Sequence, residues 1–116
     1  MNWYKLAQMQ KMRGYKVMLW DPNTKEAISQ MDKTKRFKPV IGKTYNMPGD
    51  GIYVGSTRDY VLKYFSNSPR EEGDPYEVLL VFEFDPKDVV KGNLTPEYES
   101  EGSVRNAVLV EIEVLP

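Results

Sequence analysis

The stretch Glu77 to Phe84 (EVLLVFEF) constrains this chain more than any other segment. Val78, Leu80, Phe82 and Phe84 alternate with Leu79, Val81 and Glu83, so a strand here is apolar on both faces for most of its length and turns polar only at one end. Such a strand belongs inside a sheet, covered on both sides. The rest of the chain must supply its neighbours and its cover.

Neighbours are legible on either side of it. Tyr15 to Trp20 is a β-rich run closed by the turn residues Asp21-Pro22-Asn23-Thr24, and Ala27 to Met31 reads as the returning strand of a hairpin. A third strand is expected around Phe37 to Ile41, where Pro39 demotes it to an edge. Ile52-Tyr53-Val54 follows the turn residues Met47 to Gly51 as a short buried strand. Val104 to Val114 closes the set, with Val108, Val110, Ile112 and Val114 on one face and Ala107, Leu109, Glu111 and Glu113 on the other.

Two helices are expected. Residues 2 to 12 place Trp3, Leu6, Ala7 and Gln10 on one stripe, with Asn2 as N-cap and Gly14 as stop. Ser56-Thr57-Arg58-Asp59 resembles a capping box with Asp in place of Glu, opening a central helix whose inner face is Val61, Leu62 and Phe65. Asn67 to Pro75 is a polar loop, Asp85-Pro86-Lys87-Asp88 a single helical turn that returns Val89 and Val90 to the core, and Gly92 to Ser103 an exposed connection. The expected fold class is α+β: a mainly antiparallel β-sheet with a short N-terminal helix and one central helix. A chain of 116 residues, 41% hydrophobic and 28% charged, suits a single domain, residues 1–116, read as a helical arm over 1–14 and an α+β core over 15–116.

Composition narrows the chemistry. Histidine and cysteine are absent, which removes imidazole acid–base catalysis, thiolate nucleophiles, disulfides and the usual tetrahedral zinc sites. Catalysis would fall to carboxylates, hydroxyls, Lys, Arg or Tyr. No apolar run approaches the roughly 20 residues that cross a bilayer, and MNWYKLAQMQK lacks a signal-peptide core, so a cytoplasmic protein with no membrane partner is expected.

Net charge is −1, yet residues 1–45 carry ten Lys or Arg against three Asp or Glu, and residues 46–116 carry six against fourteen. Halves of +7 and −8 attract one another on folding, or offer a basic face to an anionic partner. The basic loop Asp32 to Lys38 (DKTKRFK) is the place for a nucleic-acid contact, although no interleaved basic and aromatic stripe accompanies it. In extended chain Glu97, Glu99 and Glu101 project to one side, a crowding that raises the last proton's affinity or invites a cation or a basic partner. Asp85 and Asp88 are too few for a hard cation, and Gly49-x-Gly51 precedes a strand instead of opening a phosphate-binding helix; no metal site is expected. Tyr53 and Ser56 stand where a strand passes into a helix, a position that can face a cleft.

Gly49-Asp50-Gly51-Ile52-Tyr53-Val54-Gly55-Ser56-Thr57, then Tyr60 to Phe65, then Val78 to Phe84 resemble the central part of ADP-ribosyltransferase-like domains. The resemblance spans about 60 residues. It extends to a late Glu-x-Glu, met here by Glu97-Tyr98-Glu99 or Glu99-Ser100-Glu101. Ile41-Gly42-Lys43-Thr44-Tyr45 ahead of the unit is similar to a segment of small phage-encoded proteins. The resemblance implies NAD as cofactor, with Ser56 and Thr57 supporting a nicotinamide pocket, Tyr53 lining it, and Glu99 or Glu101 stabilising an oxocarbenium-like transition state. That family's first strand holds the dinucleotide with an Arg or His; Tyr15 to Trp20 has neither, so Arg13 is the residue available if the register shifts.

These readings converge on a small binding or inhibitory module with an ADP-ribosyltransferase-like core, acting on a protein partner as a monomer or weak homo-oligomer. A minimal NAD-dependent transferase is the alternative. A nucleic-acid accessory role through residues 33–38 is a third reading, and nucleic acid is the less favoured partner.

Overall fold

A computed structural model describes residues 10–116. Strand β1 (Met12–Asp21) pairs antiparallel with β6 (Tyr76–Phe84) over nine residue pairs, from Met12↔Phe84 to Trp20↔Tyr76. The other edge of β6 takes β9 (Asn106–Val114). As its composition demands, β6 is therefore central, and Val78 to Phe82 are buried without a break.

The other edge of β1 is shared by two shorter partners. β2 (Glu26–Ile28) pairs with Leu19 to Asp21, and β5 (Ile52–Gly55) meets β1 only at Tyr15↔Gly55. Beyond them, β3 (Arg36–Phe37) pairs with β2, β8 (Glu101–Val104) with β5, and β7 (Val89–Lys91) with β8. β4 (Thr44–Asn46) pairs with β9. The order is β4-β9-β6-β1-β5-β8-β7, and every pair is antiparallel.

β8 and β9 lie far apart in that order but are separated in the chain by Arg105 alone. The sheet must curl to satisfy both facts. Arg105 stands at the corner: its amide donates to Asp88 O at 2.8 Å beside β7, and its carbonyl accepts from Met47 N at 3.0 Å beyond β4. Inside the curl, Met18, Ala27, Val54, Leu80, Phe82, Val104 and Leu109 form the main core, with Tyr45 edge-on to both Phe37 and Phe82. Outside it, the only α-helix among the described residues, α1 (Arg58–Phe65), packs Val61 against Val17, Leu79, Val81 and Leu115.

The expected α+β class with two helices is corrected by this architecture: the described residues form an antiparallel β-structure with one eight-residue helix. The N-terminal helix falls largely on residues 1–9, outside the described residues, but its expected end is strand. Met12 already pairs with Phe84, and Gly14, read as a helix stop, is buried inside β1 where Val54 and Phe84 close over it. Pairing with β6 overrides a local preference worth a few tenths of a kcal/mol per residue. The returning strand is shorter than Ala27–Met31 and the third strand shorter than Phe37–Ile41, while β4 and β7 were not foreseen as strands and β8 lies mostly in the expected exposed connection.

The last strand differs in phase as well as extent. Val81 opposes Glu111 but Phe82 opposes Leu109, so Val110 is an extra residue in a β-bulge. The bulge flips the alternation. Ala107, Leu109 and Ile112 all reach the main core, whereas Val110 joins the cluster under the helix. At the helix, Thr57 is the N-cap and accepts from Tyr60 N at 3.1 Å; Phe65, expected on the inner face, is exposed. The turn at Pro86–Asp88 is a 3-10 turn, and the Asp85 carboxylate pairs with Lys11 at 2.9 Å instead of capping it. Within the expected exposed connection Leu94 is fully buried.

Two outcomes are expected from these contacts. Any side chain at Gly55 would collide with Val61 and lie about 3.0 Å from Tyr60, so Gly55→Ala must push the helix outward at a cost of about 1–3 kcal/mol, read as a lower urea midpoint. Arg36 joins Asp21 at 2.7 Å and Glu26 at 3.0 Å across the hairpin; its guanidinium, then the Thr24 and Asn23 amides, hold the Asp21 carboxyl down from 3.8 to about 2. The unfolded chain binds that proton first, so the stabilisation is whole above pH 3.8 and disappears as pH falls to about 2. Wild type should lose more stability across that window than Asp21→Asn, and equal losses in acid unfolding titrations would remove the pair from the account.

Candidate functional site

Where β1 passes from one short partner to the next, its edge is left open. β5 holds it at Tyr15 and β2 takes over at Leu19, so Lys16, Val17 and Met18 face a break in the wall. A cleft of about 940 Å³ occupies this break. Val17, Met18, Val54 and Phe82 contribute apolar surface to it, β5 forms one wall, and the segment from Ser29 to Phe37 forms the other. Met31, Met47 and Phe65 stand at its mouth; Met31 is 96% exposed. Gln30 closes one side by donating to Phe65 O at 2.9 Å.

The cleft's most unusual group is Lys16. Alternation along β1 puts its side chain on the same side as Met18, the side of the main core, where an ammonium is poorly solvated. Its Nζ donates to the Tyr53 carbonyl at 3.1 Å, across the break. Burial pushes the Lys16 ammonium below its ordinary 10.5, and the Glu101 carboxylate opposes that shift only in part. Among the described residues no carboxylate comes within ion-pair distance of it. A lysine held by one neutral acceptor in a mainly apolar cleft is an unspent cation, able to anchor an anion or to lose its proton.

Tyr53 and Glu101, two of the residues singled out in the sequence, line the same cleft. Pairing of Gly55 with Glu101 and Tyr53 with Ser103 sets both side chains on one face of the β5–β8 ribbon. The Tyr53 ring lies 6.0 Å below Lys91 Nζ, which is itself paired with Asp50 at 2.9 Å. That pairing holds the Asp50 carboxyl below and the Lys91 ammonium above their ordinary values.

Ser56 and Thr57 have structural occupations. Ser56 is buried; its hydroxyl donates to Tyr98 O and accepts from Ser100 N at 3.0 Å, while its amide donates to Ser100 O at 2.9 Å. These bonds tie the turn after β5 to the acidic loop, so the two stretches do meet. Glu97 and Glu99 nevertheless project into solvent outside the cleft, and only Glu101 borders it. Arg13 is exposed and faces Glu83 across the β1–β6 pair at 3.8 Å. Asp88 accepts from Asn106 at 3.3 Å, and among the described residues no three acidic side chains gather as a metal site.

Lys16 was missed because nothing in Tyr15 to Trp20 distinguishes a solvated lysine from a desolvated one. The alternation signal was present, since Lys16 occupies the same strand face as Met18 and Trp20. The basic loop contributes Thr34, Lys35 and Arg36 to the cleft, but Arg36 is engaged with Asp21 and Glu26.

Ser56→Ala would leave the Ser100 amide without a partner and the Tyr98 carbonyl with only the Ser100 hydroxyl at 3.4 Å, and a cost of about 1–3 kcal/mol is expected. Amide hydrogen exchange at Ser100 should accelerate along with the lower urea midpoint; an unchanged midpoint would free Ser56 for a role in binding. No helix among the described residues is long and apolar enough to cross a membrane. In comparisons with models of protein families, with curated proteins and with solved structures, nothing matches this chain.

Proposed function

We propose that the protein is a non-catalytic binding module of the cytoplasm, with an ADP-ribosyltransferase-like core, whose cleft between β2 and β5 takes a nucleotide of the NAD type. The observation that carries this reading is Lys16, an ammonium without an acidic partner among the described residues, set in a mainly apolar cleft beside Tyr53 and Glu101. The volume of about 940 Å³ lies within the range of small-molecule sites, roughly 300–1,000 Å³. An anionic group with a flat apolar body suits such a site: the ammonium meets the charge, and Phe82, Met18 and Val54 meet the body. Lys16 stands on the first strand, where the family resemblance asks for a cation and Arg13 does not reach.

Binding is favoured over transfer because the remaining residues of the expected catalytic set are spent or remote. Ser56 and Thr57 are engaged with backbone, and Glu99 lies outside the cleft. The exposed Met31, Met47 and Phe65 at the mouth give a protein partner an apolar rim on which an inhibitory module could act. The transferase reading rests on Glu101, a carboxylate at the edge of the cleft that could stabilise positive charge developing on a ribose.

Thermal unfolding with NAD, ADP-ribose and nicotinamide tests the proposal, since a ligand of the folded state raises the midpoint. NAD and ADP-ribose should raise it, Lys16→Met should lose the shift, and nicotinamide should not be released. No shift with either dinucleotide would reject the reading. Release of nicotinamide that disappears in Glu101→Gln would replace it with the transferase.

A further inference from the structure

We infer that Lys16 is a covalent attachment site for small aromatic aldehydes, forming an imine through its side-chain nitrogen at the floor of the cleft. The inference stands on the placement of this one amine and does not depend on the nucleotide reading.

Three observations carry it. Lys16 Nζ is fixed by the Tyr53 carbonyl at 3.1 Å, an acceptor that orients one N–H and leaves the nitrogen otherwise uncommitted. No carboxylate among the described residues lies within 4.0 Å to hold the nitrogen as an ammonium, in contrast with Lys11 and Lys91, which are ion-paired at 2.9 Å. The nitrogen is also reachable, because the break between β2 and β5 opens into a cavity with Phe82 and Phe37 in its lining, a surface suited to a flat ring. Desolvation favours the neutral amine, which is the form that attacks a carbonyl.

The chemistry needs no oxidant or reductant. The nitrogen lone pair of the neutral amine adds to the aldehyde carbon, a C–N bond forms, and the carbonyl pair moves to oxygen. That oxygen takes up a proton as the nitrogen loses one, giving a carbinolamine. Loss of hydroxide as water, with a second nitrogen proton returned to solvent, leaves the C=N bond. Amine and aldehyde become imine and water.

Salicylaldehyde is a suitable probe, with cyanoborohydride supplying hydride to convert the imine into a stable secondary amine, and with peptide mapping over all eleven lysines. Lys35 lines the same cleft but is exposed, and serves as the internal standard. Lys16 is expected to be labelled at least about tenfold faster than Lys35, as a desolvated amine fixed in a cleft should be against a solvated one. Lys16→Arg keeps a cation that can donate to Tyr53 and should abolish the fast label while the urea midpoint stays near that of wild type. Lys35→Gln should leave it intact, and labelling in urea should lose the preference. Equal labelling of Lys16 and Lys35 in the folded protein would overturn the inference, as would a preference that survives unfolding. Fast labelling in a protein whose midpoint NAD does not move would uphold this inference and reject only the nucleotide reading.

Discussion

Pairing of β1 with β6 is the constraint on which the remaining structure depends. Nine consecutive residue pairs fix one edge of β1, and β9 fixes the far edge of β6. Three long strands thus form a rigid panel, apolar on both faces, with the curled interior on one side and the helix on the other. The other edge of β1 is supplied by strands of three and four residues, which cannot cover ten. The cleft is the remainder. Its position follows from strand lengths, and its floor is the stretch of β1 that pairs on one edge only, with β6.

The panel was legible in the sequence because its information is local. Val78 to Phe84 is apolar on both faces, and no arrangement other than a central strand satisfies it. The turn after Asp21 and the helix after Thr57 were legible for the same reason, being written in residues three or four apart. What was not legible depends on partners distant in the chain. Helix formers around Met12 gave way to Phe84, seventy-two residues on. The phase of β9 was misread because a bulge at Val110 is invisible until Phe82 is seen opposite Leu109. Strands of two or three residues carry little pattern: β3 is expected at Phe37 to Ile41 and lies at Arg36–Phe37, and β4 and β7 are not read as strands at all.

The candidate site shows the same division. Tyr53 is singled out because it stands where a strand passes into a helix, and Glu101 because it belongs to an alternating acidic run, but Glu99 and Glu101 could not be told apart without the β5–β8 register. The charge asymmetry between the two parts of the chain is only partly consumed by folding. Lys11–Asp85 and Arg13–Glu83 join the basic part to the acidic one, but Arg36 spends itself on Asp21 and Glu26 within the basic part, and Arg58 on Glu113 and Lys91 on Asp50 within the acidic one. Lys33, Lys35 and Lys38 stay exposed, Lys35 in the lining of the cleft, and positive charge there favours approach by anions.

The corner at Arg105 bears on how the chain can acquire its shape. β1 finds its longest partner only in residues 76–84, and the curl closes only where β8 and β9 bracket that corner. The pairings that close this fold therefore join residues far apart in the chain. A connectivity of this kind folds slowly, because each long-range pairing must bear the entropy of closing its loop before it stabilises anything.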